Sequence, residues 1–191
     1  MPGTNLTRSE ARERAALISV ERYDVDLHLG RGPSTFTSRT TVRFRCAKPG
    51  ASTFIDLIAD SVESVTLNGV ELDPARAYAD SRVALPGLAT DNVLTIEATC
   101  RYMRSGEGLH RFVDPVDSEV YLYSQFEVPD SRRMFAVFEQ PDLKAEFSFT
   151  VTAPARWEVI SVMPTPEPTP ASTGTTGERT EELATWAFAP T

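Results

Sequence analysis

Histidine occurs only twice in this 191-residue sequence, at His28 and His110, and cysteine only twice, at Cys46 and Cys100. A zinc centre needs three or four ligands at suitable spacing, and no His-Glu-x-x-His is present, so the chain is not expected to bind zinc itself. Both cysteines fall at inward positions of alternating segments. Buried thiols are inert, which speaks against a Cys/His nucleophilic pair. A disulfide would need a secreted context that the sequence does not suggest, so both are read as buried free thiols. His28 stands at an outward position among strand acids, as a solvated surface histidine would. His110 lies in the Gly-containing stretch 103–118, read as a loop, where both a plain and a site role stay open. There is no Walker loop. The G-x-G triplets at Gly30–Gly32 and Gly106–Gly108 do not open a helix, so no dinucleotide fold is indicated.

Long apolar runs are also missing. None approaches the ~20 residues that cross a bilayer, and the start, Met1 to Arg8, has no apolar h-region. Lysine occurs only at Lys48 and Lys144, and the net charge is −8. Such a surface repels phosphate backbones, so nucleic acid is an unsuitable partner. Together these features predict a cytoplasmic protein without membrane contact.

What is present is β pattern. One helix is predicted over residues 8–17, opened by a capping box at Thr7 and Glu10. Its apolar face is thin, so it must pack on something else or fray. Beyond Ile18 the period becomes two. Tyr23, Val25, Leu27 and Leu29 share one face of a strand, and Thr40, Val42, Phe44 and Cys46 share one face of another. Phe54 to Ile58 reads as a buried strand. Asn68-Gly69, between Val65 and Leu72, marks a type I′ hairpin turn. Further strands are predicted at 82–85, 94–102, 120–126, 147–151, 157–163 and 183–188. Pro129 to Met134 reads as one helical turn, and the Pro/Thr/Gly/Glu-rich stretch 164–182 as a mobile loop or linker. About ten short strands predict an all-β, saddle-shaped multi-sheet sandwich with a short N-terminal helix. Residues 1–19 form the helix and lead-in, and 20–191 the β-domain. The chain stops at Thr191 amid strand-like sequence, as a piece of a longer protein would.

One segment offers chemistry: Ser124-Gln125-Phe126-Glu127-Val128-Pro129-Asp130-Ser131-Arg132-Arg133. In extended backbone Gln125 and Glu127 point to one face and Phe126 to the other. A carboxylate there suits an ammonium group, and a carboxamide can both donate and accept. Most exposed acids do nothing specific, so the alternative is a solvated strand-end acid with Arg132 and Arg133 as counter-charges.

The stretch from Ser124 to Phe147 resembles a segment of the aminopeptidase N family of zinc metallopeptidases, of the form T-Q-x-E-x-x-D-A-R-R-x-F-P-C-F-D-E-P-x-x-K-A-x-F. Tyr23–Leu27 is similar to the family's opening strand. Trp186–Thr191 is similar to its approach to the catalytic domain. The resemblance implies a β-domain lying over a catalytic domain that this chain lacks. It implies that Glu127 binds the substrate's α-ammonium and that Gln125 lines the pocket for the first side chain. Peptides and the chain's own catalytic domain are the implied partners. Zinc is the implied cofactor of the full-length enzyme, none being bound by this part alone, and no catalytic residue lies here. Ser124, Ala136-Val137 and Glu139-Gln140 depart from the family pattern, but neither binding position does. Glu139 falls outside the Gln125/Glu127 face and is expected to be indifferent to substitution. Two other readings stay open: a stand-alone β-sandwich binding module, or a family relative with epoxide hydrolase activity.

Overall fold

The computed structural model describes residues 5–176 and 179–191, the side chains of 174–180 excepted. Helix α1 (Arg8–Leu17) begins with the expected capping box: Thr7 Oγ1 accepts from Glu10 N, and Glu10 reaches back to Thr7 N (2.8 Å). It runs directly into β1 (Ile18–His28), which is followed by β2 (Thr35–Cys46), β3 (Thr53–Asp56), β4 (Ser61–Leu67) and β5 (Val70–Leu72). A single turn, α2 (Pro74–Ala77), leads to β6 (Tyr78–Ala79), β7 (Arg82–Leu85) and β8 (Asp91–Arg101). The chain continues through β9 (Gly108–Val113), β10 (Val120–Gln125), a 3-10 turn (Ser131–Arg133) and β11 (Glu146–Pro154). It closes with β12 (Thr169–Pro170), β13 (Gly174–Thr176), β14 (Arg179–Glu181) and β15 (Leu183–Ala187). The protein is therefore all-β in several sheets, as the alternation predicts.

The main sheet has eight strands in the order β12-β15-β11-β1-β2-β8-β4-β5, and β1 pairs with β11 in parallel. Its centre follows the period-two pattern closely. Tyr23, Val25 and Leu27 of β1, Val42, Phe44 and Cys46 of β2, and Leu94, Ile96 and Cys100 of β8 are buried on one face. Arg39, Arg43, Arg45 and Glu97 stand on the other. Each fully buried large apolar side chain contributes about 1.5–3 kcal/mol relative to exposure. The three-stranded sheet β3-β7-β6 adds Ile55, Val83 and Leu85 to the same buried cluster. The β4–β5 turn has Asn68 at φ 54° and Gly69 at φ 80°, the positive pair that the Asn-Gly dipeptide tolerates. Both cysteines are buried free thiols, and burial pushes Cys100 up to about 12.

Several expectations are corrected. Residues 108–113 are not loop but strand β9, paired with β10 from Val113 opposite Val120 to Gly108 opposite Gln125. Gly106 and Gly108, which suggested a loop, take positive φ at the start of this hairpin. Trp157–Met163 has strand-like sequence but forms no strand. The adjacent β11 already has β1 on one edge and β15 on the other, so the segment has no edge there to join. The stretch 164–182 is not a plain loop among its described residues: β12 pairs with β15, and β13 pairs with β14. Pro170 is tolerated because β12 is an edge strand. Residues 177 and 178 of that stretch lie outside the described residues.

Helix α1 does pack on something else, through a charge. Arg14 is buried, and its guanidinium bonds Asp56 Oδ2 (2.7 Å) and Gln140 Oε1 (3.0 Å). It lies over the Phe54 and Phe138 rings, with centroids 4.9 and 5.6 Å away. Gln140 Nε2 donates to Ala11 O (2.9 Å), so the helix is tied to residues far along the chain.

Candidate functional site

β10 ends where its pairing ends, at Gln125. Phe126 turns inward, its ring edge-on to Phe135 (5.7 Å), which in turn packs against Phe147 and Phe149. Gln125 and Glu127 are exposed, and Gln125 Oε1 accepts from Glu127 N (2.8 Å). An amide and a carboxylate two residues apart thus stand outside with an aromatic anchor between them, Glu127 already lying in the turn that follows β10 and not in extended strand. The hydrogen bond fixes the amide orientation, leaving the Gln125 NH2 as its free donor.

The chain beyond Glu127 is braced. Val128-Pro129 leads into the 3-10 turn, where Arg132 is buried and Nε donates to Pro129 O (2.9 Å). Arg133 Nε pairs with Asp130 (2.6 Å), and Nη2 reaches Glu107 (3.4 Å). Arg132 and Arg133 thus brace the turn, and the alternative of surface counter-charges to Glu127 does not hold for them. A Cβ on Gly108 would stand 2.7 Å from Arg133 Cβ, so only glycine lets Arg133 lie under the end of the hairpin opposite Gln125. Residues 135–138 then run beside β3, with Val137 and Asp56 exchanging backbone bonds (Asp56 N to Val137 O, 2.9 Å; Val137 N to Asp56 O, 3.0 Å). Phe138 N donates to the buried Tyr23 hydroxyl (3.1 Å), which joins this segment to the main sheet.

The histidines are placed apart. His110 sits in β9, stacked on Tyr123 (4.7 Å), and its Nδ1 accepts from Gly106 N (3.0 Å). His28 is half-buried at the end of β1 rather than solvated; burial, then the Arg31 charge, lowers its pKa. No group of three or more His, Cys, Asp or Glu among the described residues is placed to hold a metal, so they do not fit a zinc centre. No helix among the described residues is long and apolar enough to cross a membrane.

An open cavity of about 810 Å³ lies between β10, β11 and the unpaired stretch 156–162. Tyr121, Tyr123, Phe126, Trp157 and Val159 line it, and neither Gln125 nor Glu127 does. The apolar groove and the Gln125/Glu127 pair are thus separate features. Beside the groove, Tyr121 donates to Asp117 (2.9 Å). The Asp117 carboxyl is held below its usual range, first by the Glu119 N–H and then by this hydroxyl.

The fold is thus all-β, and it presents Gln125 and Glu127 to solvent at the end of β10 with Phe126 turned inward between them. The Peptidase M1 N-terminal domain family matches residues 19–185, and the chain belongs to that family. It is 60% identical over 171 residues to Aminopeptidase N of Streptomyces lividans, covering 88% of this chain and 20% of that protein. It is 44% identical over 52 residues to Aminopeptidase N of Acetobacter pasteurianus, covering 27% of this chain and 15% of that protein. The chain thus spans a fifth or less of the length of these relatives.

Proposed function

We propose that this chain is the substrate-recognising N-terminal domain of a zinc-dependent aminopeptidase, with residues 1–19 as lead-in and 20–191 as the β-domain. The observation that supports it is the exposed Gln125 and Glu127, flanking the inward Phe126 at the end of β10, in a chain of the M1 N-terminal domain family. In this reading Glu127 pairs with the free α-ammonium of a peptide. An internal peptide bond would leave that carboxylate unpaired at a penalty of about 1–3 kcal/mol, so the acid measures distance from the amino terminus. Gln125 presents its amide NH2 to the first side chain. Zinc and the hydrolytic groups belong to the catalytic domain of the full-length enzyme, so this chain alone is expected to be silent toward aminoacyl-arylamides. The exposed Tyr121, Tyr123 and Val128 suit a face that the catalytic domain covers. The buried, unpaired Cys46 and Cys100 accord with a reducing, cytoplasmic setting, which cell fractionation would check.

The test compares full-length variants on one aminoacyl substrate and its N-acetylated counterpart. Glu127→Gln keeps the shape and removes the charge. A charge-assisted hydrogen bond is worth about 1.5–3 kcal/mol, so kcat/KM should fall roughly 10- to 150-fold, and further for Glu127→Ala. Gln125→Ala should shift preference among first side chains more than it lowers activity. Full activity of Glu127→Gln, with full rejection of the blocked substrate, would return Glu127 to a solvated strand-end acid.

A further inference from the structure

Resting on the reading of Glu127 above, we propose that Glu139 is a positioning residue for that carboxylate, and that it couples the site to the buried Arg14–Asp56 pair. The geometry begins with a turn that does not cap itself. Asp130 occupies the N-cap position of the 3-10 turn but makes no side-chain cap bond, and its Oδ1 accepts instead from Arg133 Nε (2.6 Å). The orphan donors at the start of the turn are met from farther along the chain. Glu139 Oε2 accepts from Arg132 N (2.8 Å) and from Ser131 Oγ (2.5 Å). Such groups must find partners when they are shielded from water, and here one carboxylate oxygen serves both.

Glu139 is itself held from the core. Its backbone N–H donates to Asp56 Oδ2 (3.1 Å), the oxygen that also receives Arg14 Nη1 (2.7 Å). The neighbouring Gln140 binds both Arg14 and the backbone of α1. A continuous set of bonds therefore runs from helix α1 through Asp56 and Glu139 to Ser131. Ser131 lies just past the Val128–Asp130 link to Glu127. On the other side of Glu127, Phe126 is seated against Phe135. The carboxylate is thus suspended between two fixed points, and Glu139 supplies one of them. A site that must hold its geometry to within about half an ångström depends on such supports. This reverses the expectation that Glu139, lying outside the Gln125/Glu127 face, is indifferent to substitution.

A double-mutant cycle on the full-length enzyme tests the proposal, with Glu71→Gln, on the exposed β5, as the inert control. Glu139→Gln should lower kcat/KM for the free-amino substrate by roughly 5- to 30-fold, the range expected of residues coupled through one network. In the Glu127→Gln background the same change should act by no more than about twofold, because the group it positions has lost its charge. Ser131→Ala removes one of the two bonds without touching the buried pair. It should follow the same pattern more weakly, and it carries the cycle if Glu139→Gln fails to fold. A purely structural role would lower activity equally in both backgrounds, and that additivity would overturn the proposal. So would a neutral Glu139→Gln alongside a damaging Glu127→Gln. If Glu127→Gln is itself neutral, the ammonium reading fails and the positioning role fails with it. Hydrogen exchange over residues 130–134 then decides the anchoring separately: faster exchange in Glu139→Gln supports it, and unchanged exchange excludes it.

Discussion

The centre of the main sheet and the β9–β10 hairpin are both built of antiparallel strand pairs and end in opposite states. β2 lies between β1 and β8, pairing with β8 from Thr35 opposite Arg101 to Arg45 opposite Asp91, and its inward residues are buried throughout. Apart from a bridge to Met103, the two hairpin strands pair only with each other among the described residues, and Tyr121 and Tyr123 remain 50% and 52% exposed. Ile160 and Val162, across the groove, are exposed still further, at 76% and 77%. Alternation makes a strand with an apolar face, but it does not say whether another layer of the same chain covers that face. The first region is closed by its own polypeptide. The second is open, and the candidate site stands at its end.

The sharpest way to break the closed region is through the buried Arg14–Asp56 ion pair. Asp56→Ala leaves Arg14 buried without its carboxylate and releases the backbone N–H of Glu139. Removing one partner of a buried pair destabilises by about 3–5 kcal/mol, which urea unfolding of the chain should register. A loss below about 1 kcal/mol would mean that the pair is not what docks α1.

Gly108→Ala should act at the border of the two regions. The residue sits at φ 58°, and a Cβ would press on Arg133. A loss of about 1–3 kcal/mol is expected, felt as faster hydrogen exchange in β9 and β10 with β1 and β2 protected. Uniform loosening of all four strands would show that the hairpin does not open independently.

Acid should loosen α1 before the sheet. The Arg82 guanidinium, with the Thr7 N–H and hydroxyl, lowers the Glu10 carboxyl to about 2 from an ordinary 4.5. A depressed carboxyl contributes stability that is present above its unfolded pKa and lost as pH falls through the folded one. The contribution of Glu10 should therefore fade between about pH 4.5 and 2. Glu10→Gln should flatten that part of the stability-versus-pH curve, and an unchanged curve would deny Glu10 the role.

The smallest effect belongs to the open region. The double change Ile160→Ser and Val162→Ser removes two side chains that no layer of this chain covers, so stability should move by no more than about 0.5 kcal/mol. A larger loss in thermal unfolding would mean that the groove wall supports the fold.

Local features were legible in the sequence because their causes lie within a few residues. The Thr7–Glu10 box, the Asn68-Gly69 turn, the alternation of β1, β2 and β8, and the opposed faces of Gln125, Phe126 and Glu127 each follow from backbone geometry and near neighbours. Trp157–Met163 shows where that reasoning stops. Its residues suit a strand, but a strand also needs a free edge, and β11 has none to give. The fate of 108–113 was likewise decided by a partner, β10, that supplied the pairing. The supports of the site were out of reach for the same reason. Arg14 and Asp56 are 42 residues apart, Asp56 and Glu139 83, and Arg14 and Gln140 126. An arginine on a thin helix face and an acid beyond the binding motif carry no local sign that they will meet. By itself the sequence determined the faces of β1, β2 and β8 and which side chains would stand outside at the end of β10. Only the tertiary structure decided which faces were covered and which distant polar groups shared a dry interior. There each had to find a partner, and the partners it brought together brace the turn that follows Glu127.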